Sequence, residues 1–167
     1  KMAKEFIQGA LGPTTPVSVF NGLLASAATF IASAATSVPD KIGECIAGMI
    51  AIGYRPDIIG LHPSVFFEHC QIAKSTTEGL YLMGSPAQPA PPMLWGRPVC
   101  LEPAMPTTDA MVLDSRFVTL IERQAPTILI SNSHGDNFTK NLLVILAECR
   151  ATLQVGTGFA VQKFSIS

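Results

Sequence analysis

The sequence predicts an α+β fold, and three observations carry that prediction. Apolar residues recur at helical spacing from Ile42 to Met49, a short apolar run follows at Asp57–Leu61, and a second helical stripe begins at Val65. Short β-like runs separated by turn residues then occupy residues 98–131. Finally, residues 141–155 alternate with a period of two.

Taken in order, residues 1–10 have helix-compatible spacing and stop at Gly12-Pro13. Residues 14–37 are rich in Ala, Ser and Thr, and are read as irregular structure with one short helix. A firmer helix opens at Pro39-Asp40, carries Ile42, Cys45, Ile46 and Met49 on one stripe, and closes at Gly53. Pro56 leads into the strand 57–61, which His62-Pro63-Ser64 ends. A second helix then places Val65, Phe66, His69, Cys70 and Ile72 on an apolar stripe that decays by Ser75.

The segment Gly79–Pro106 is dense in proline and holds the single tryptophan, Trp95. Proline and glycine restrict its path, and the indole is expected to anchor the loop against a core. Beyond it, β runs are expected at 98–101, 110–113, 117–122 and 127–131, with residues 124–126 as a turn. In the run 141–155, odd positions from Leu143 to Val155 carry no polar residue, whereas even positions from Glu148 to Gln154 read Glu, Arg, Thr, Gln. A long strand is favoured over a helix, buried on both faces at first and half-exposed later. Phe159, Val161 and Phe164 continue as a last β run after the Gly156–Gly158 turn.

Composition narrows the function. Hydrophobic residues make up 48% and charged residues 14% of the 167, against about 25% charged in ordinary soluble domains. Such a surface suits a subunit covered by partners. A membrane span is not supported, because no uninterrupted apolar run reaches about 18 residues. The net charge is −1 without a Lys/Arg cluster, so direct nucleic-acid binding lacks its electrostatic footprint. Cys45, Cys70, Cys100 and Cys149 are widely spaced among apolar neighbours and are read as buried free thiols.

No chemistry-bearing motif stands out. His62, His69 and His134 have neither metal-ligand spacing nor a Cys/His cluster around them. His69-Cys70 are adjacent on a helix and so point apart, which does not suit a nucleophile and its base. Walker, GxGxxG, HExxH and GxSxG patterns are missing. No catalytic residue, cofactor or metal is therefore expected.

The ordered set DIIGLHP (57–63), GLYLMGSPAQPAPPMLWGRPVCLEPAMP (79–106) and DNFTKNLLVILAECRATLQV (136–155) resembles the tailed-bacteriophage major capsid proteins of the Hong Kong ninety-seven type. The likeness covers residues 57–160, and its strength lies in the order of motifs that are individually weak. It implies a mixed small sheet flanked by helices with a long peripheral-domain strand. Residues 1–37 would be a peripheral-domain remnant and connector, 38–125 the axial domain, and 126–167 the return to the peripheral domain. It also implies that the N-terminal arm, extended loop and spine helix precede this chain, which would then be a C-terminal portion.

The function implied is a structural subunit, not an enzyme, whose copies assemble into pentamers and hexamers. The resulting icosahedral shell would enclose DNA without reading its sequence. Scaffold, protease and portal proteins are implied partners, and the virion, built in the host bacterial cytoplasm, is the implied location. Some relatives join neighbouring subunits by an isopeptide bond, for which Asn141 and Glu148 match the asparagine and the assisting glutamate. An encapsulin-like nanocompartment shell is the alternative, and a small α+β cytosolic enzyme is a third reading.

Overall fold

The computed structural model describes residues 6–8, 22–71, 81, 83 and 91–166. After a short helix α1 (Leu23–Ser26) and a two-residue strand β1 (Ala28–Thr29), the long helix α2 spans Val38–Ala51. Ser37 caps its start: the hydroxyl oxygen accepts from the Asp40 backbone N–H at 3.3 Å, and Pro39 fits the first turn, where no N–H is needed. Gly53 closes the helix at φ +92°. Its N–H donates to the Ile50 carbonyl and the Tyr54 N–H donates to that of Met49, the paired bonds of a Schellman stop.

Strand β2 (Ile58–Leu61) follows, then helix α3 (Pro63–Phe66), which widens into a π turn at Phe67–Gln71. Here His62 is structural, its Nδ1 accepting from the Ser64 N–H at 3.2 Å to cap α3. The second helix expected at 65–73 is present from Pro63 and widens over Phe67–Gln71, and Ile72 onward lies outside the described residues. The remaining strands are β3 (Met93–Leu94), β4 (Arg97–Leu101), β5 (Asp109–Leu113), β6 (Val118–Ser131), β7 (Val144–Val155) and β8 (Val161–Ser165).

Six strands form one mixed sheet in the order β1-β8-β5-β2-β4-β3. Strand β2 pairs parallel with β4 and antiparallel with β5, and β5 pairs antiparallel with β8. The sheet is covered on both faces, which explains why β5 reads Ala-Met-Val-Leu without alternation. Ala110 and Val112 join the cluster under α2 with Ile42, Cys45, Met49, Ile59 and Phe164. Met111 and Leu113 point the other way, to Leu24, Met105 and Val161. β8 lies between β1 and β5, so the end of segment 126–167 shares a sheet with segment 38–125.

Trp95 departs from its expected role. Residues Trp95 and Gly96 take φ +51° and +70°, making the two-residue turn between β3 and β4. The indole lies on α2 rather than in the core: Nε1 donates to the Pro39 carbonyl at 2.7 Å, and the side chain stays 60% exposed. A Cβ on Gly43 would come within 2.6 Å of the indole Cε2. That glycine, placed mid-helix against its propensity, is what lets the ring approach.

The cysteines also divide. Cys45 and Cys70 are buried free thiols, pushed up to about 12 and about 11 by desolvation. By contrast, Cys100 is exposed and Cys149 half-buried. Cys100 sits among apolar neighbours in sequence but faces outward on β4, because strand alternation decides its side.

Candidate assembly surface

Strands β6 and β7 form a separate two-stranded antiparallel sheet that leaves the six-stranded one. The runs expected at 117–122 and 127–131 are one continuous strand. Gln124 to Pro126, expected as a turn, are absorbed instead as register shifts opposite Arg150 and Glu148. Pro126 cannot donate a ladder bond, and a bulge on an unshared strand tolerates that. The long strand at 144–155 is present, with its burial inverted: its first four residues are exposed and only later ones are half-buried.

Register sorts the hairpin's two faces. On one face lie Val118/Val155, Leu120/Leu153, Glu122/Ala151, Ile128/Ala147 and Ile130/Ile145. Except for Glu122, this face is apolar throughout. At its base Val118 and Val155 pack on the core cluster of Leu24, Met111 and Val161. The other face is mostly polar near the base (Thr119/Gln154, Ile121/Thr152, Gln124/Arg150, Thr127/Glu148) and mostly apolar toward the tip (Leu129/Leu146, Ser131/Val144).

The distal third is therefore apolar on both sides and bare. Ile128, Ile130 and Ile145 are 64–69% exposed, and Phe138 in the tip is 76% exposed. An isolated hairpin is marginal in water, and burying each such side chain is worth about 1.5–3 kcal/mol. Covering this patch would therefore stabilise the hairpin.

The tip, residues 132–143, is a built turn. Gly135 and Asn141 take φ +54° and +52°. The Asn141 N–H donates to the Phe138 carbonyl and the Leu142 N–H to that of Asn137, at 3.4 and 2.9 Å. These are the same paired bonds that Gly53 makes, with Asn141 as the left-handed residue, for which Asn is the best substitute for glycine. Lys140 and Asp136 form an exposed pair at 3.4 Å.

Asn141 is thus an exposed tip residue, whereas Glu148 is half-buried on β7 opposite Thr127. Val144 and Glu148 alone are separated by about 13 Å of strand at ~3.3 Å per residue. One hairpin does not bring the two side chains together.

Sequence reasoning missed two polar features. At the hairpin's base, Asp114 is fully buried and its carboxylate accepts from the Arg55 N–H at 2.8 Å, the Arg116 N–H at 3.2 Å, and Arg116 Nε and Nη2 at 2.9 and 2.5 Å. The Arg116 guanidinium holds this carboxyl well below the usual carboxylate range. On α2, Glu44 gathers the N–H groups of Ser33, Ala34 and Ala35 and the Ser33 hydroxyl, which hold its carboxyl down at about 2. Only the Asp114-Ser115 dipeptide was a visible signal, and it reads equally as a plain turn. Among the described residues no group of three His, Cys, Asp or Glu could hold a metal ion, and no helix is long and apolar enough to cross a membrane.

Comparison with solved structures finds the same fold in capsid particles. The chain is similar to a capsid chain of the empty GTA particle, with a TM-score of 0.77 at 17% identity, over 99% of this chain and 60% of that one. It is similar to a chain of Mycobacterium phage Ogopogo, with a TM-score of 0.68 at 15% identity, over 96% and 59%. The encapsulin complex of Synechococcus elongatus matches with a TM-score of 0.55 at 16% identity, over 87% and 56%. The chain thus spans about three fifths of the length of these structures. No curated protein sequence matches it. The model of the Phage capsid family matches residues 1–165, and the chain belongs to that family.

Proposed function

We propose that this chain is the C-terminal portion of a major capsid subunit of the Hong Kong ninety-seven type, and that its copies build an icosahedral shell of pentamers and hexamers around DNA. The observation that carries this reading is the β6–β7 hairpin, whose distal third is apolar on both faces and uncovered. A second copy is the natural cover for it: the charges nearest that apolar patch and along the hairpin balance, with Glu122, Glu148 and Asp136 against Arg123, Arg150 and Lys140. The six-stranded sheet with α2 serves as the axial part and the hairpin as the peripheral part, with β8 counted in the sheet. The role is structural rather than enzymatic. Scaffold, protease and portal proteins act as partners, and the shell forms in the cytoplasm of a bacterial host.

The cross-link is a second, separable element. In it a lysine amine from a neighbouring subunit attacks the Asn141 carboxamide carbon, the new C–N bond forms and ammonia leaves. Glu148 takes the proton released by the amine. The exposure of Asn141 at the tip favours it, and the separation of Glu148 requires that carboxylate to come from another copy.

Electron microscopy of the protein expressed from its whole reading frame tests the main reading. Closed shells of uniform size are expected, and a protein that stays monomeric with its processing partners present contradicts it. Shells that retain a cargo enzyme instead of DNA would move the assignment to an encapsulin-like compartment. The similarity to the Synechococcus encapsulin supports that alternative more weakly than the capsid matches support the first.

A further inference from the structure

Among the described residues the chain crosses twice between the six-stranded sheet and the hairpin, and the two crossings are built from different chemistry. The outgoing crossing, 114–117, is held by charge. Asp114 accepts from four N–H donors of Arg55 and Arg116. One residue later Ser115 donates its N–H to Asp57 Oδ1 at 2.8 Å and its hydroxyl to Asp57 Oδ2. Arg116 also lies 5.7 Å from the Phe117 ring centroid, and Phe117 meets Tyr54 edge-on at 5.3 Å. The loop 54–57 therefore grips the outgoing strand on one side through Arg55, Asp57 and Tyr54.

The return crossing, Gly156-Thr157-Gly158, has no charged side chain. Gly156 donates its N–H to the Phe117 carbonyl at 2.8 Å, and Thr157 Oγ1 accepts from the Phe159 N–H at 3.4 Å. A Cβ on Gly158 would meet the Ser26 carbonyl oxygen at 2.9 Å, so the backbone of this crossing runs directly against α1. Val118 and Val155 pack on the core, and beyond them the two strands pair with each other along their length.

We propose that the Asp114–Arg116 pair, backed by Asp57 and Ser115, is a lock that sets the direction of the β6–β7 hairpin against the sheet, with the Gly156–Gly158 crossing as the swivel it restrains. A buried carboxylate with every lone pair engaged has one favourable geometry, since losing a donor leaves it desolvated and unpaired. The return crossing lacks a comparable polar lock: its glycines carry no side chain, and it is held by the Gly156 N–H bond and its approach to α1. Opening the lock frees a lever whose distal apolar patch moves as a unit, while the core cluster under α2 is left in place. These residues are thus positioning residues, acting on the hairpin's angle and not on its own pairing.

The test places paired spin labels, carried on noncanonical residues, at Lys140 in the tip and Ile50 on α2, with Ile50 and Leu101 as a control pair. The 167-residue chain should give one narrow tip-to-helix distance. Asp114→Asn and Arg116→Gln should each lose that single peak and spread it, with the control distance unchanged, and Arg116→Lys should restore it in part. If the charged variants do not fold, Ser115→Ala, which removes one hydroxyl, decides by the same measurement. A narrow tip distance in folded Arg116→Gln or Ser115→Ala overturns the proposal, and so does equal broadening of the control pair, which would make the cluster a general stabiliser.

Discussion

The six-stranded sheet and the β6–β7 hairpin are written in similar residues, yet one is filled by its own chain and the other is not. Ile59, Val112 and Val161 of the sheet are fully buried under α2 or α1. Ile128, Ile130 and Ile145 of the hairpin are as apolar and stand in solvent. Local pattern decides that both are strands. Burial depends on whether a second layer reaches that part of the strand, and among the described residues none reaches the distal hairpin. Such an unlayered apolar ribbon is the surface that the proposed assembly would cover.

The sharpest way to break this comparison is to truncate one isoleucine in each region. Ile59→Ala should cost about 2–5 kcal/mol of unfolding free energy, because the cavity is walled by the core. Ile130→Ala should stay within about 0.5 kcal/mol in the unassembled chain. Denaturant titration reads both, and equal losses would mean that the hairpin is already covered.

A smaller effect separates conformation from chemistry at the tip. Asn141→Ala should cost about 1 kcal/mol, since alanine pays for the left-handed backbone, whereas Asn141→Gly should fold as well as the parent. The isopeptide reading makes a different demand. Denaturing gels of mature shells should show covalent ladders that vanish in Asn141→Gly. Ladders that persist in Asn141→Gly remove the residue from the chemistry, and monomer bands from parent shells remove the cross-link altogether.

The smallest expected effect concerns Glu44 and the loop it holds. Its carboxyl is lowered in the folded chain to about 2 from 4.5, so its share of stability is complete above pH 4.5. That share declines as pH falls toward 2, because the unfolded chain takes up the proton first. Side-chain NMR titration should place Glu44 near 2, and Glu44→Gln should flatten this part of the pH–stability curve. An ordinary titration near 4.5 would show that the Ser33–Ala35 turn is not bound.

Much of the fold is legible in residues 38–61 and 109–113, where helical period, a Ser/Pro start, a glycine stop and short apolar runs agree with one another. The strand at 144–155 is legible from its alternation, but its exposure is not. Leu143 to Leu146 read as doubly buried because apolarity normally implies burial, and among the described residues nothing covers them. Pro126 reads as a turn because the sequence does not reveal that its strand has a single partner able to accommodate a bulge. Glu44 binds the Ser33–Ala35 N–H groups, which the fold brings near, and Asp114 adds the Arg55 N–H to three local donors of Arg116, a local pattern that reads as a plain turn.

The claim that the bare hairpin is the surface through which copies meet is tested most directly by charging it. Ile130→Asp with Ile145→Asp, introduced together into the protein expressed from its whole reading frame, places two carboxylates in the centre of the apolar patch. Sedimentation velocity should show shells for the parent and only unassembled subunits for the variant, with the unfolding transition of the unassembled subunit unchanged. Shells of normal size and yield from the charged variant would contradict the account.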